Sequence, residues 1–337
     1  MPNKNKSIAL LNDTGNYPHI GCRAVSDAHN ALLSTIGVEV IYRHFVNDFT
    51  ELWTGEFESS VQNVLKSGLL NELSSVDAVV VNGEGTIHHG HGLHLLAIVK
   101  AAQAIGKPTY IVNAGIQDVP IAGLKVLAEL KDLTVRDLFS YQYLQKMGID
   151  TRLVADSILG ARFDEGVDDC WKNKILVTDS VVSKTNTNLF EVANHFGSDA
   201  VYFPLEGSNA HNWKGAIKKI RGCRLMVTGR HHGLYLALMA KVPFVALSSN
   251  TWKVEGTLAA LEYSDNYNKK EGLRDILDMC NAALESSSAF EKVFSHSFIS
   301  KRLSTFSLLA NDLGLAANDL SAETGGGSEI SRFYENR

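Results

Sequence analysis

The sequence predicts an α/β fold in two domains, each built on a parallel sheet. Short apolar runs alternate with helical patterns along the chain, which is typical of consecutive β-α-β units. Residues 224–253 show one such unit clearly, with an apolar run at 225–227, a helical spacing over 234–240 and a second run at 242–247. The length of 337 residues exceeds what a single core usually holds, so two domains are expected.

The first half contains six apolar runs that stop at polar or glycine residues, as buried parallel strands do. These predicted strands cover residues 7–11, 38–42, 77–81, 109–113, 132–135 and 151–155. Helical spacings lie between them at residues 24–36, 59–72, 93–105, 119–130 and 141–147. Ser140 is suited to cap the last of these helices, and Gly148 is suited to end it.

The second half repeats this α/β pattern after a charged segment without periodicity at 161–173, where we place the linker. Its predicted strands are 174–178, 200–203, 225–227 and 242–247, and its helices are 189–196, 213–220 and 271–284, with a Ser/Thr/Asn-rich turn at 183–188. A final helix over 301–313 can pack back on the first domain. We therefore assign 1–165 to the first domain, 172–315 to the second and 316–337 to a flexible tail.

Composition narrows the classes of function. A net charge of −5 argues against a general nucleic-acid binder, so any anion recognition must be local. The four cysteines form no CxxC pair, which indicates neither a disulfide framework nor a zinc knuckle. The apolar run near the N-terminus, residues 8–11, is too short for a signal peptide or a membrane span. We expect a cytoplasmic protein, with attachment to a membrane surface left open.

Polar residues follow most of the predicted strands, at the sheet edge where α/β proteins bind ligands. In the first domain they lie on a loop at 12–23, on a glycine-rich turn after the third strand and at three further strand ends. The candidates are Asn12, Asp13, His19, Gly83, Glu84, Asn113, Arg136 and Asp156. Glu84 is either an acid/base or sugar-binding group or a solvated turn carboxylate. Arg136 is otherwise explained by an ion pair with Asp137, and Asp156 by a helix cap.

In the second domain, Arg230, His231, His232 and Gly233 follow the strand at 225–227 and open the next helix. A guanidinium, titratable imidazoles and a glycine at a helix N-terminus suit a phosphate or carboxylate. The alternative is that Arg230 pairs with a structural carboxylate and that the histidines have no contact with a ligand.

Histidines 88, 89, 91 and 94 form a cluster that invites a metal interpretation. No Cys, Asp or HExxH partner lies at a matching spacing, and Gly90 and Gly92 weaken a regular helix there. We therefore predict no metal site and place His88 among the substrate contacts. The glycine turn at 83–85 lacks GxGxxG spacing, and no cofactor is predicted.

Four blocks occur in the order seen in the polysaccharide pyruvyl transferase superfamily, which the chain resembles over about residues 7–260. They are Asn82-Gly83-Glu84-Gly85-Thr86, Thr134-Val135-Arg136-Asp137, Val154-Ala155-Asp156 and Thr228-Gly229-Arg230-His231-His232-Gly233, continued by Val242-Pro243 and Lys253. The resemblance implies two Rossmann-like domains of the GT-B type with the active site in the cleft between them. It also implies transfer of a pyruvyl group from phosphoenolpyruvate to a sugar on a cell-surface glycan.

The resemblance assigns a role to each matching residue. Arg136 and Arg230 would hold the donor's phosphate and carboxylate, with His231, Gly233 and Lys253 beside them. His232 would be the general acid or a partner of the donor's phosphate, and Asp156 or Glu84 the base for the acceptor hydroxyl. The first-loop candidates, with Gly83, His88 and Asn113, would contact the acceptor, a glycan or a lipid-linked glycan.

Two departures from the family pattern leave the donor open. The first loop reads Asn12-Asp13-Thr14-Gly15 where the family has Asn-x-Gly-Asp, and Glu84 interrupts the glycine run. A glycosyltransferase that uses a CMP-activated keto-acid sugar, similar to Kdo, is the alternative. A non-catalytic protein that binds a glycan or an anion is the second alternative.

Overall fold

The computed structural model describes residues 6–85, 87–263 and 272–315. The tail predicted at 316–337 lies outside the described residues, as does Thr86 of the glycine block. The predicted α/β fold with parallel sheets is confirmed, since every strand pair in the two main sheets is parallel.

The first sheet has six strands in the order β2-β1-β3-β5-β7-β8, and a separate short pair joins β4 to β6. Its elements are β1 (Lys6–Asp13), α1 (Ile20–Thr35), β2 (Val38–Phe45), α2 (Phe57–Lys66), α3 (Leu69–Ser75), β3 (Ala78–Asn82), β4 (Ile87–His88), α4 (Leu93–Ala104), β5 (Thr109–Ala114), β6 (Ile116–Gln117), α5 (Ile121–Ala128), β7 (Asp132–Val135), α6 (Leu138–Lys146) and β8 (Arg152–Leu153). The central strands β3 and β5 are buried along their whole length, as their apolar sequences predict.

The second sheet has four strands in the order β10-β9-β11-β12. Its elements and the segments after it are β9 (Ile175–Ser180), α7 (Ser183–Phe196), β10 (Ala200–Tyr202), α8 (Trp213–Ile220), β11 (Leu225–Gly229), α9 (His231–Ala240), β12 (Phe244–Ala246), α10 (Lys253–Ala260), α11 (Leu273–Glu285), α12 (Ser287–Phe294), α13 (Ser297–Ser300) and α14 (Ser307–Asp312).

Four local predictions are wrong. The helix predicted at 59–72 is two helices, α2 and α3, and the helix predicted at 301–313 is a 3-10 helix at Lys301–Ser304 followed by α14. The other two have a clear physical reason. Helix α6 begins three residues earlier than predicted, because Asp137 rather than Ser140 is its N-cap and accepts a hydrogen bond from the Ser140 backbone N–H at 2.8 Å. The polar segment at 183–188 is the start of α7 and not a turn. Thr185, Leu189 and Val192 are buried on one side of that helix. The other polar residues of the segment can therefore lie on its opposite side without breaking the helix.

Helix α1 joins the two sheets. Its first half, including Ala24 and Ala28, packs in the core of the second sheet. Leu32 and Leu33 in its second half pack in a core of the first sheet. The same helix therefore contributes to both cores, and its N-terminus lies between the two sheets.

The end of the described chain returns to the first sheet. Phe306 and Leu309 pack with Ile8 and Leu10 of β1, and the Tyr110 hydroxyl donates a hydrogen bond to Asp312 at 2.6 Å. The prediction that the final helix packs back on the first domain is confirmed. The predicted domain limits themselves stay a prediction. None of the described helices combines the length and the apolarity that a bilayer crossing needs.

Candidate active site

A cavity of about 400 Å³ lies where the carboxyl ends of the two sheets face each other. It is lined by residues from the loop after β1, from the glycine turn after β3, and from the ends of β7 and β11. Eight of the residues that the sequence predicts line it, namely His19, Glu84, His88, Arg136, Arg230, His231, His232 and Lys253. The parallel direction of the strands explains why these residues lie together, because parallel strands end at the same edge of their sheet.

Arg136 is the cation of the first sheet in this cavity, and its side chain is only 2% exposed. Its Nη1 donates a hydrogen bond to Asp156 Oδ2 at 2.5 Å. Burial alone would raise the pKa of Asp156, but Arg136 and His232 together hold that pKa well below its usual range. Asp156 is thus a permanent anion that positions the guanidinium. The Nε of Arg136 is buried and has no hydrogen-bond partner among the described residues.

His232 lies on top of this ion pair. Its Nε2 is 3.1 Å from Arg136 Nη1, 3.3 Å from Glu84 Oε1 and 3.6 Å from Asp156 Oδ2. A protonated Nε2 can donate to either carboxylate, whereas an unprotonated Nε2 can accept from the guanidinium. Both protonation states of His232 therefore have a partner in place, which is what an acid/base group requires.

Glu84 is fixed by contacts from two loops. The Thr14 hydroxyl donates to Glu84 Oε2 at 2.9 Å, and Asn82 Nδ2 donates to the same oxygen at 3.4 Å. The side chain is buried and lines the cavity. The interpretation of Glu84 as a solvated turn carboxylate is therefore wrong.

Arg230 is the cation of the second sheet, and two carboxylates hold it. Its Nε and Nη2 donate to Asp179 Oδ2 at 2.9 and 2.5 Å, and Nη2 also donates to Glu206 Oε2 at 2.5 Å. The Arg230 side chain is 13% exposed, more than that of Arg136. The alternative in which Arg230 pairs with a carboxylate thus describes its contacts, although the residue still lines the cavity.

Lys253 and His231 complete the polar wall. Lys253 Nζ donates to Asn250 Oδ1 at 2.8 Å, and burial, followed by Arg136 and Arg230, lowers the pKa of Lys253 to about 8. His231 Nε2 lies 3.0 Å from the Thr257 hydroxyl, and burial together with Arg136 lowers the pKa of His231 well below its ordinary value. His231 is therefore a neutral ring at neutral pH.

The polysaccharide pyruvyl transferase family model matches residues 14–251, which include every residue of this wall except Lys253. The chain belongs to this family. No curated protein matches the sequence significantly.

Solved structures show the fold of this pyruvyl transferase family member to be GT-B-like. A Listeria monocytogenes protein described as a UDP-N-acetylglucosamine 2-epimerase candidate has a TM-score of 0.60 and 12% identity, over 99% of this chain and 98% of its own. The UDP-GlcNAc 2-epimerase of Methanocaldococcus jannaschii, solved with UDP-GlcNAc and UDP, has a TM-score of 0.54 and 13% identity, over 88% and 98%. The spinosyn rhamnosyltransferase solved with thymidine diphosphate has a TM-score of 0.51 and 10% identity, over 89% and 96%. Family and fold together make the protein a transferase.

Six of the predicted site residues do not line the cavity. They are Asn12, Asp13, Gly83, Asn113, Asp156 and Gly233. Asn113 is fully buried, and its Oδ1 accepts from the Ser157 backbone N–H at 3.0 Å, so it supports the segment that carries Asp156. Asn12 donates to the Asn82 backbone oxygen at 2.7 Å. Asp13 binds Arg43 and faces a neighbouring cavity of about 500 Å³.

The two glycines among these six have packing roles. A Cβ on Gly83 would lie 2.5 Å from the Cβ of Ala114, and one on Gly233 would lie 2.0 Å from the Thr228 hydroxyl oxygen. Because glycine has no side chain, the turn after β3 and the start of α9 can approach their neighbouring strands closely. As placed, neither glycine contacts the cavity, and the role of each in binding stays a prediction.

The sequence reasoning missed the residues that surround the histidines. Cys22 Sγ lies 4.0 Å from His232 Nδ1, and Tyr17 hydrogen-bonds to Glu206. Asp179 binds Arg230 and lies at the end of β9, one residue before Ser180. Its place at a strand end could have marked it as a candidate, as it marked the other site residues. A Cβ on Gly21 would lie 2.2 Å from the His232 Cβ, so the lack of a side chain there lets the start of α1 pack against this histidine.

Two groups of side chains among the described residues have potential metal-ligand atoms within 4.8 Å of one another, close enough to hold one metal ion. They are His19 with Cys22 and His232, and Asp156 with His231 and His232. Arg136 Nη1 lies 3.1 Å from His232 Nε2, and a guanidinium this close opposes a second cation. His88, from the histidine cluster at 88–94, also lines the cavity, and its Nδ1 lies 3.1 Å from the Nδ1 of His89. Burial, followed by Lys253, lowers the pKa of His88 to about 4.

Proposed function

We propose that the protein transfers a pyruvyl group from phosphoenolpyruvate to a sugar hydroxyl in the synthesis of a bacterial cell-surface polysaccharide. The observation that carries the proposal is the buried Arg136, whose Nη1 lies beside His232 and whose Nε has no partner among the described residues, in a cavity that the family match covers. A guanidinium whose Nε–H has no hydrogen-bond partner among the described residues suits the carboxylate or the phosphate of the donor. The acceptor would be a glycan or a lipid-linked glycan, reached from the cytoplasm at the inner face of the membrane.

The geometry supports a division of roles. Protonated His232 gives its proton to the methylene carbon of phosphoenolpyruvate, which leaves positive charge on the carbon that bears the phosphate. An acceptor hydroxyl then adds to that carbon and loses its proton to Glu84, which lines the cavity. Loss of phosphate and addition of a second hydroxyl, with release of its proton, close the ketal. Asp156 suits the base role poorly, because its pKa is low and its side chain is fully buried.

One observation favours the second candidate, transfer from a CMP-activated keto-acid sugar. Four carboxylates stand at or directly behind the cavity wall, against three cations. The carboxylates are Glu84, Asp156, Asp179 and Glu206, and the cations are Arg136, Arg230 and Lys253. This balance suits a donor with less charge than phosphoenolpyruvate, and Glu206 in the loop after β10 suits hydroxyl groups of a sugar or ribose.

Thermal unfolding with separate ligands tests the proposal. A ligand at about a hundred times its dissociation constant stabilises the protein by about 2.7 kcal/mol. We expect phosphoenolpyruvate to raise the unfolding temperature of the wild type and to do so far less for Arg136→Lys, which keeps the charge but loses the planar guanidinium. Lys100→Arg, a change on the surface ion pair with Glu129, is the control and should respond as the wild type does. Stabilisation by CMP or its keto-acid sugars, with none by phosphoenolpyruvate, would replace the first candidate by the second.

A further inference from the structure

His19 ends the loop after β1 and begins α1. Its backbone is extended, with φ −139° and ψ 129°, and its side chain is the N-cap of this 16-residue helix. The Nδ1 atom accepts hydrogen bonds from the backbone N–H groups of Gly21 at 3.0 Å and Cys22 at 3.4 Å. A cap normally uses a side-chain oxygen for this purpose, and here an imidazole nitrogen replaces it.

The cap decides where the ring carries its proton. A nitrogen that accepts two N–H groups must present its lone pair, so Nδ1 is unprotonated. A neutral imidazole then has its single proton on Nε2. The same ring lines the cavity, with its centre 5.4 Å from that of His232.

The surroundings keep this ring neutral. His19 is buried among charged or titratable groups from several elements. They are His232 on α9, Arg230 directly before α9, Lys253 on α10 and Cys22 on α1, with Glu206 across a backbone bridge. Burial, followed by His232, Arg230 and Lys253, lowers the pKa of His19 well below its ordinary value. A second proton would also have to go to Nδ1 and break the cap.

We infer that His19 is a neutral hydrogen-bond donor of fixed tautomer, whose Nε2–H binds an anionic oxygen of the ligand in the cavity. Neutral imidazoles held in this way serve as electrophilic donors that do not change with pH. The His19 N–H adds a hydrogen bond for the ligand without adding a charge to the cavity wall, which already carries three cations. The identity of the ligand rests on the proposed function, whereas the tautomer does not.

The chain offers a matched control in His296. It caps α13 through Nδ1 in the same manner, accepting from the Phe298 backbone N–H at 3.2 Å, and it is not among the residues that line the cavity. A serine at either position keeps a cap oxygen but loses the ring N–H.

The first measurement is the nitrogen NMR spectrum of the protein with ¹⁵N-labelled histidine, with the His19 signals identified by their loss in His19→Ser. We expect an unprotonated Nδ1 and a protonated Nε2 that do not change between about pH 6 and pH 8.5, where ordinary histidines titrate. A proton on Nδ1, or a titration of His19 in this range, would overturn the inference even if every ligand bound as proposed.

The second measurement is the affinity of whichever of phosphoenolpyruvate or CMP stabilises the wild type. His19→Ser should lose about 10- to 100-fold in affinity, as expected when a donor to a charged oxygen is removed, while His296→Ser stays close to the wild type. Equal affinity for His19→Ser and the wild type would show that the N–H does not reach the ligand. If neither compound binds the wild type, the proposed function fails, and the NMR spectrum still decides the tautomer.

Discussion

Arg136 and Arg230 occupy equivalent places in the two sheets, each directly after a strand, yet their surroundings differ. Arg136 is nearly inaccessible, forms an ion pair with Asp156 and has a buried Nε with no partner in the part of the chain that the structure describes. Arg230 is more exposed and is held by Asp179 and Glu206 at once. The same residue type directly after a strand therefore keeps a donor nitrogen without a partner among the described residues in one sheet, and is held by two carboxylates in the other.

The difference separates a fixed part of the cavity from an adjustable part. Asp156 cannot leave Arg136 without placing a buried charge alone, which is costly. Glu206 has a side chain that is 37% exposed, so its carboxylate can move into solvent when an anion arrives. We therefore expect the first sheet to set the position of the donor and the second sheet to tune its affinity.

The largest expected effect is on stability. Arg136→Met should lower the free energy of unfolding by about 3 to 5 kcal/mol, because it leaves Asp156 buried without its partner. Arg230→Met should cost less, about 1 to 2 kcal/mol, because Glu206 is 37% exposed and Asp179 keeps the Leu205 backbone N–H as a donor. Urea unfolding measures both. Adding Asp156→Asn to Arg136→Met should restore part of the loss, and equal losses in the two single variants would remove the distinction between the sheets.

A second prediction concerns Lys253, whose pKa both arginines help to lower to about 8. The ammonium is charged below that pH and becomes neutral above it. The affinity for an anionic donor should therefore fall by up to about fivefold between pH 8 and pH 9. Titration calorimetry at several pH values measures this fall. It should be absent in Lys253→Met and present in Lys100→Met, and a fall that survives in Lys253→Met would assign it to another group.

The smallest effect is expected for Glu206→Gln. This change removes one negative charge from Arg230 while the Asp179 contact remains. The affinity for an anionic donor should rise about two- to fivefold, the equivalent of a weak ion pair. Glu262→Gln, on the surface near His296, is the control for a general charge effect. A weaker binding in Glu206→Gln would mean that Glu206 contacts the ligand directly.

The sequence predicts the meeting of Glu84, Arg136, Arg230 and His232 because each follows a strand, and parallel strands end at one edge. It also predicts the return of the final helix to the first sheet. The partners of Arg230 were not predictable in this way, because Asp179 and Glu206 lie 51 and 24 residues from it and many carboxylates in the chain could have served.

The loop after β1 shows a finer limit. Asp13 and Thr14 are neighbours, yet Asp13 faces the cavity near Arg43 and Thr14 faces the candidate active site. Such a choice depends on backbone angles that the residue types do not fix, and Asn12 before them has a positive φ of 57°. His19 was selected as a ligand contact, but its role as a cap was hidden because histidine is not a usual capping residue.

The return of the chain to the first sheet has a consequence for synthesis on the ribosome. All six strands of that sheet have been made once β8 ends at Leu153, but Ile8 and Leu10 also need Phe306 and Leu309 to cover them. This apolar surface must wait while the whole second sheet is translated. During that interval the nascent chain presents a site for chaperones, and truncation before residue 306 should yield a protein that aggregates although its cavity residues are all present.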